Sequence, residues 1–464
     1  MAPPPVQRIG VAGAGTMGAG IAQVAALGGY LTYLHDPDPE ALAAGEQRLR
    51  DDLLKGADRG RWTRAEAEAA SARLRAARRL DQLTGCELVI EAAPESLEQK
   101  RALFRELESI CAGGTVLATN TSSLSVTEIA AAAARPERIC GMHFFNPPAL
   151  MELVEVVAGA RTAPETLGLA EAVSQRMGRT PIRAADGIGF LANRCARPFT
   201  LEALRLVGER IARPDQVDRI VRIGGGYRMG PFELMDLVGV DVNLQVARSF
   251  FEQSGGEPRW KPHALHERLV VEGRLGRKSG RGWYDYGRGP HRPQDPEIPV
   301  PDHRARTDPR LEASVDWVAL PNLTEARLVE LAPVQPTPPG VLSAAGRHFA
   351  ALGKQVDCVL GDAPGLVLGR IVAQLVNEAC FAVEEGVGTV EDVDTALRLG
   401  FNHPRGPFEW ARAIGPGEVL GTLDALRSQL GEDRYRAAPL LRRWAVVAGP
   451  SSPTEGEPPL DPEP

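Results

Sequence analysis

An α/β domain on a parallel sheet, followed by an all-helical domain present in two copies, is the fold class that three observations predict. A strand, a glycine-rich turn, an Ala-rich helix and a second strand ending in an acid occupy Gly10 to Asp36, GVAGAGTMGAGIAQVAALGGYLTYLHD. Short apolar runs separated by helix or turn signals continue to about residue 184, and long helical patterns follow from Asp186. The helical stretch then recurs without gaps at a constant offset of 176 residues, as from Asp186 to Asp362.

In the first segment Gly13, Gly15 and Gly18 have G-x-G-x-x-G spacing, with Thr16 and Met17 between them. Missing side chains at Gly13 and Gly15 permit a tight turn and close approach to a pyrophosphate. Gly18 lets helix pack on strand, and the helix N-terminus offers amide donors to phosphate. Asp36 falls where a carboxylate accepts from the adenine ribose hydroxyls and repels a 2'-phosphate, and no basic residue follows in Pro37-Asp38-Pro39-Glu40. Residues 1–184 are therefore read as a Rossmann-type domain for NAD rather than NADP.

After Asp36 a long charged stretch to about Arg79 reads as helical. Glu87 to Ala93, Gly114 to Thr119 and Arg138 to Phe145 read as parallel strands, Leu153 to Val157 as a further strand, and Arg179 to Ala184 leads out of the domain. Polar residues at strand carboxyl ends, where a doubly wound sheet meets its ligand, include Asn120-Thr121-Ser122-Ser123 and His143. A histidine there can take the proton of an alcohol while its carbon gives up hydride, and Glu155 on the next strand can hold the other ring nitrogen in one tautomer. The alternative for His143 is a satisfied core histidine.

Residues 185–287 read as the first helical domain and 362–448 as its copy. Asp186, Gly189, Arg194, Glu202, Val217, Asp218 and Gly224 recur as Asp362, Gly365, Arg370, Glu378, Val393, Asp394 and Gly400, and Gly230-Pro231-Phe232-Glu233 as Gly406-Pro407-Phe408-Glu409. Asn193 corresponds to Gly369, so the copy is expected to be a scaffold without a second active site. Between the copies, 288–361 reads as a Pro-, Arg- and Gly-rich linker and a stretch of weak strand and helix signals. Residues 449–464 are too polar and Pro-rich to pack and are expected to be disordered.

The 464 residues, 43% hydrophobic and 5% aromatic, suffice for about two to four domains. A net charge of −7 argues against general affinity for nucleic acid or an anionic membrane. No apolar run reaches the roughly 18 residues of a spanning helix, and a first strand at Val6 leaves no room for a signal peptide, so a cytoplasmic protein is expected. The six cysteines lack C-x-x-C pairing and read as reduced, buried thiols; no metal site is expected.

GAGTMGAGIA, EAAPESLEQK, NTSSLSVTEIA, HFFNPP, LVEVV, GFLANR and MGPFELMDLVG, in this order and spacing, resemble the 3-hydroxyacyl-CoA dehydrogenases over residues 6–286. The duplicated tail, with NHPRGPFEW, resembles the longer bacterial branch that includes 3-hydroxyadipyl-CoA dehydrogenase of phenylacetate breakdown. The resemblance implies NAD-dependent oxidation of (3S)-3-hydroxyacyl-CoA to 3-oxoacyl-CoA, with 3-hydroxyadipyl-CoA and 3-hydroxybutyryl-CoA as candidate substrates. It implies that His143 is the base and Glu155 its orienting carboxylate, and that Ser122 and Asn193 contact the substrate oxygen and the cofactor amide region. Asp36 would bind the adenine ribose, while Glu95, Lys100 and Lys278 would lie along NAD or the CoA. Because the helical domain makes the dimer in two-domain members, the protein is expected to be a homo-oligomer or a monomer whose second copy replaces the partner.

Simpler readings compete: a turn residue for Ser122, a helix cap for Asn193, and solvated surface lysines for Lys100 and Lys278. Arg197, one helical turn after Asn193, could pair with the far carboxylate of a dicarboxylyl chain, or with Glu202 or Glu233, or lie in solvent. At the level of function, a hydroxyacid dehydrogenase resembling 6-phosphogluconate dehydrogenase would need a catalytic lysine near Asn193-Arg194, where there is none. A catalytically inactive NAD-binding structural or redox-sensing protein would not need Ser122, His143, Glu155 and Asn193 together.

Overall fold

The computed structural model describes residues 6–287, 289–302, 305, 308–333, 338, 340–449 and 456–459. The chain divides into two compact units, 1–192 with 386–400, and 193–385 with 401–464. Most of the Pro-rich tail expected to be disordered lies outside the described residues.

In the first unit β1 (Arg8–Ala12), α1 (Thr16–Leu27) and β2 (Leu31–His35) form the expected opening. The charged stretch that follows is not wholly helical: after α2 (Pro39–Asp58) and α3 (Arg64–Arg73), Leu74–Ala77 forms β3, paired with β2. LRAA lacks the β-branched residues that mark a strand, and pairing at the sheet edge overrides its helix propensity. The apolar runs become β4 (Leu88–Glu91), β5 (Val116–Thr119) and β6 (Ile139–Phe144), joined by α4 (Leu97–Ile110) and α5 (Val126–Ala130). β7 (Leu153–Ala158), α6 (Pro164–Arg176) and β8 (Thr180–Ala185) complete an eight-stranded sheet ordered β3-β2-β1-β4-β5-β6-β7-β8. Helices cover both faces, which is why β4 and β6 are buried along their whole length. Only β6 and β7 run antiparallel, and their register sets His143 opposite Glu155. Residues 386–400 also belong to this unit: Ala185 N donates to Val387 O at 2.8 Å. A Cβ on Gly400 would stand 2.8 Å from the Leu153 side chain and 3.3 Å from that of Phe145.

The second unit begins in α7 (Ala192–Gly208) and continues through α8 (Pro214–Gly225), α9 (Pro231–Val238), α10 (Val240–Gln253) and α11 (Ala264–Val271). The 288–361 stretch then holds more than its sequence announces: α12 (Pro309–Glu312), β9 (Asp316–Val318), β10 (Leu328–Ala332), α13 (Val341–Ala351) and β11 (Gln355–Cys358). β10 lies antiparallel to β9 and parallel to β11, the same order and sense as β6, β7 and β8. Glu330 faces Val318 as Glu155 faces His143. Glu330 also accepts from Val367 N at 2.8 Å and Leu368 N at 3.1 Å, as Glu155 does from Leu191 N and Ala192 N. The duplication therefore extends upstream of the helices into a reduced Rossmann sheet in which valine stands at the position of the histidine. Strands of three to five residues carry too little periodicity for this to be read from sequence. Five of the six thiols are buried, but Cys358, at the end of β11, is exposed.

Burial, unopposed by any nearby cation, pushes the Glu330 carboxyl up to about 8. With an unfolded value near 4.3, the folded state prefers the protonated form, so this group's contribution is fullest below about pH 4 and declines as the pH rises toward 8. Glu330→Gln is expected to gain stability over the parent progressively across that window in urea melts. A variant no more stable at pH 8 than the parent would mean that the carboxylate is accommodated.

The second helical copy comprises α14 (Leu368–Glu384), α15 (Val390–Phe401), α16 (Pro407–Ile414), α17 (Pro416–Leu430) and α18 (Pro439–Ala448). The repeated Gly-Pro-Phe-Glu opens α9 and α16 alike, with Gly230 N donating to Glu233 at 3.3 Å and Gly406 N to Glu409 at 2.8 Å. Buried ion pairs join the two copies reciprocally. Arg194 binds Glu378 at 2.8 Å and Glu385 at 2.7 Å; Arg370, its counterpart, binds Glu202 and takes both Glu209 oxygens at 2.6 and 2.8 Å. Arg259 holds the other oxygen of Glu378 at 2.7 Å, and Tyr435, its counterpart, donates to Glu202 at 2.9 Å. Equivalent residues binding each other's partners is the pattern of subunits related by a two-fold axis.

Candidate active site

The nucleotide loop is built where β1 turns into α1. Gly13 adopts φ +115°, and a Cβ there would stand 2.5 Å from Ala92 O, while one on Gly18 would stand 1.8 Å from Gly13 O. A Cβ on Gly15 would meet nothing within 4 Å, so the loop faces open space at the start of α1. Thr16 is exposed there, Met17 packs against the core, and no acidic residue occupies the first turn of α1. An open glycine at a helix N-terminus fits a pyrophosphate. Asp36 lies beside the loop, accepting from Ala14 N at 2.8 Å and Asp38 N at 3.0 Å.

At the far end of β6, the Nδ1–H of His143 donates to Glu155 at 2.7 Å. The Glu155 carboxylate is 0% exposed, and its other oxygen accepts from Leu191 N at 3.0 Å and Ala192 N at 2.8 Å. Three N–H donors thus hold a buried carboxylate in one orientation, and the tautomer it imposes leaves Nε2 of His143 as the acceptor. Phe145 and Phe190 flank the imidazole, with ring centroids 4.6 and 5.9 Å away.

Asn120 accepts from Phe144 N at 2.8 Å, tying the end of β5 to the residue after the histidine. Ser122 is exposed in the loop beyond. That loop is shaped by Glu95, one of whose oxygens accepts from Thr121 Oγ1 at 2.6 Å, Ser123 Oγ at 2.9 Å, and the amides of Ser122 and Ser123, each at 3.2 Å. Burial pushes the Glu95 carboxyl up, but the Thr121 hydrogen bond, Lys100 and Ser123 together outweigh it and hold it below the ordinary range.

These contacts correct one expectation, the reading of Lys100 as a solvated surface lysine. Glu95 organises the serine loop. Lys100 is not a surface lysine: it is 1% exposed, with Glu91 at 2.6 Å, Ala93 O at 3.2 Å and Glu95 at 3.5 Å. Its charge fixes the turn after β4. Glu91 was missed from sequence, although an acid ending an apolar run was its signal; it also accepts from Thr119 at 2.7 Å and Ala93 N at 2.6 Å. Asp186 was noted only as a repeat position; it caps α5, accepting from Ser125 Oγ at 2.7 Å, Val126 N at 3.0 Å and Thr127 N at 2.7 Å.

The remaining candidates belong to the second unit. Asn193 is half-buried in the first turn of α7. Lys278 is half-exposed and paired with Asp241 at 2.6 Å. Arg197 is buried, and neither expected partner reaches it: Glu202 is taken by Arg370 and Tyr435, and Glu233 by His291 and Arg292.

A dinucleotide loop at the head of this sheet, followed by paired helical copies, defines an NAD-dependent dehydrogenase. The chain belongs to the 3-hydroxyacyl-CoA dehydrogenase family, whose NAD binding domain matches residues 8–187 and whose C-terminal domain matches twice, at 189–286 and 365–450. It is similar to 3-hydroxyadipyl-CoA dehydrogenase of Escherichia coli, 38% identical over 466 residues that cover 95% of this chain and 98% of that protein. A probable 3-hydroxybutyryl-CoA dehydrogenase of Bacillus subtilis is 40% identical over 282 residues, covering 61% of this chain and 98% of its own. Among crystal structures, a 3-hydroxybutyryl-CoA dehydrogenase from Escherichia coli matches with a TM-score of 0.88 at 36% identity, covering 96% of this chain and 99% of that one. The reaction of the family is NAD-dependent oxidation of 3-hydroxyacyl-CoA. Among the described residues, no helix is long and apolar enough to cross a membrane.

Proposed function

We propose that His143 is the general base of this oxidation and that a dicarboxylyl thioester, 3-hydroxyadipyl-CoA, is the preferred substrate. The observation that carries the first part is the 2.7 Å bond from His143 to a carboxylate closed off from solvent. NAD supplies the hydride acceptor. Nε2 of His143 takes the C3 hydroxyl proton, and Glu155 balances the imidazolium that forms. The Ser122 hydroxyl donates to the developing carbonyl oxygen. Phe145 and Phe190 keep water from the ring. The substrate reading is supported by the similarity, over nearly the whole of both chains, to a protein that bears the name of that substrate.

The second copy serves as an internal partner, so that the chain is a monomer with one active site, acting in the cytoplasm. The reciprocal ion pairs support this reading, as does Val318 in place of a second histidine. The test follows NADH absorbance with acetoacetyl-CoA, alongside calorimetric titration and light scattering. Turnover, one NADH per chain and a monomeric mass are expected. No turnover would overturn the catalytic assignment, and a dimer formed through 186–286 the internal-partner reading.

A further inference from the structure

One helix of the second copy is built into the catalytic unit. Residues 386–400, which take in all of α15 but its last residue, belong to the first compact unit with the eight-stranded sheet. The segment is joined to the end of β8 by the bond from Ala185 N to Val387 O. Two of its glycines then face residues that adjoin the His143–Glu155 pair. A Cβ on Gly388 would stand 2.6 and 3.1 Å from the methyl groups of Leu191, which is 0% exposed and whose amide is one of the two that hold Glu155. One on Gly400 would stand 2.8 Å from the Leu153 side chain and 3.3 Å from that of Phe145, whose ring centre lies 4.6 Å from that of His143. Cβ atoms do not approach other atoms within 3.0 Å, so at both places the side chains opposite have room only because the segment carries none.

The other half of the duplication holds the same arrangement around the reduced sheet, where there is no histidine to orient. Ile211, the counterpart of Val387, accepts from Leu360 N at 2.8 Å and Gly361 N at 3.3 Å. Gly224, the counterpart of Gly400, faces Leu328 at the start of β10 as Gly400 faces Leu153 at the start of β7. A Cβ there would come no closer than 3.4 Å to any side chain, which is ordinary contact. Ala212 and Val367 stand at the positions of Gly388 and Leu191, and the Val367 amide holds Glu330 as the Leu191 amide holds Glu155. The catalytic half has thus exchanged alanine for glycine in the segment and valine for the longer leucine beside the carboxylate.

Resting on the reading of His143 as the base, we infer that residues 386–400 of the second copy are a positioning element of the active site. Gly388 and Gly400 give Leu191 and Phe145 the room that keeps Glu155 and His143 aligned. A methyl group on Gly388 displaces Leu191 and draws its amide from the carboxylate; one on Gly400 presses Phe145 toward the imidazole. A misplaced base loses rate while the glycine loop at the end of β1 keeps its hold on the cofactor. The copy without a catalytic histidine serves the reaction by packing.

The test measures acetoacetyl-CoA reduction and urea midpoints for Gly388→Ala, Gly400→Ala and Gly224→Ala in the full chain. The first two are expected to lower kcat roughly tenfold or more, with KM for NADH and the midpoint close to those of the parent. Gly224→Ala, the same change in the equivalent helix where a methyl group fits, is expected to leave kcat unchanged. Adding Leu191→Val to Gly388→Ala should restore most of the rate, because the shorter side chain makes room for the new methyl group. Equal losses in all three alanine variants, or no recovery in the double variant, would reduce the segment to a structural support and overturn the inference. Parental kcat in both Gly388→Ala and Gly400→Ala, with His143→Ala inactive, would overturn it and leave the base standing. Near-normal turnover in His143→Ala would overturn the base and this inference together.

Discussion

Replacing His143 with alanine is expected to lower turnover about 10²- to 10⁴-fold while NADH affinity stays close to that of the parent. The separation follows from position: the imidazole stands at the end of β6 against Glu155, and the glycine loop stands at the end of β1. Glu155→Gln should lose much of the same rate, because an amide can turn its NH₂ toward Nδ1 and reverse the tautomer, and carries no charge to balance the imidazolium. The two losses should not add, since each variant removes the same device. Stopped-flow or steady-state rates with acetoacetyl-CoA, set against calorimetric NADH binding, measure both quantities. Near-normal turnover in His143→Ala would assign the proton transfer to another group.

Arg370→Ala is expected to destabilise the protein by about 3–5 kcal/mol, because it strips the partner from a buried carboxylate. Arg370 is 0% exposed and is enclosed by Glu202, both oxygens of Glu209 and the Tyr435 hydroxyl. Burial by itself would favour loss of its proton; the surrounding carboxylates more than reverse that and keep it charged. Adding Glu202→Gln to Arg370→Ala should recover part of the loss by removing the orphaned charge. Urea denaturation of the single and double variants tests this. A loss below about 1 kcal/mol, the worth of a surface pair, would mean that water or a neighbour replaces the guanidinium.

The Arg370 variants probe contacts that no reading of the chain supplied. Arg194, Glu202, Arg370 and Glu378 were visible as repeat positions, yet a repeat predicts that two copies fold alike and not that each completes the other. The exchange joins residues 168 and 184 apart in sequence. Lys100 illustrates the same limit. In EAAPESLEQK it reads as a ligand contact, by resemblance, or as a solvated lysine on a charged helix, and only the fold of the turn after β4 closes Glu91, Ala93 and Glu95 around it. Likewise β9 to β11 carry few residues per strand, and their likeness to β6 to β8 lies in pairing order and register.

What the chain determined by itself was whatever depends on local backbone geometry or on periodicity. The glycine spacing requires a turn that side chains would block, as the positions of Gly13 and Gly18 bear out. The strand ends carry the polar residues, Asp36 follows β2 directly, and the 176-residue offset marks a second helical domain. Tertiary structure alone decided which of those polar residues meet. Folding closed Glu91, Ala93 and Glu95 around Lys100, and packing left Arg197 without a carboxylate partner among the described residues, while the meeting of Glu155 with His143 that the sequence led one to expect came from antiparallel pairing of β6 with β7. The physical reason is that a charge buried in a core is governed by partners the chain brings from far away, whose arrangement exists only once the sheet register and helix packing have been chosen.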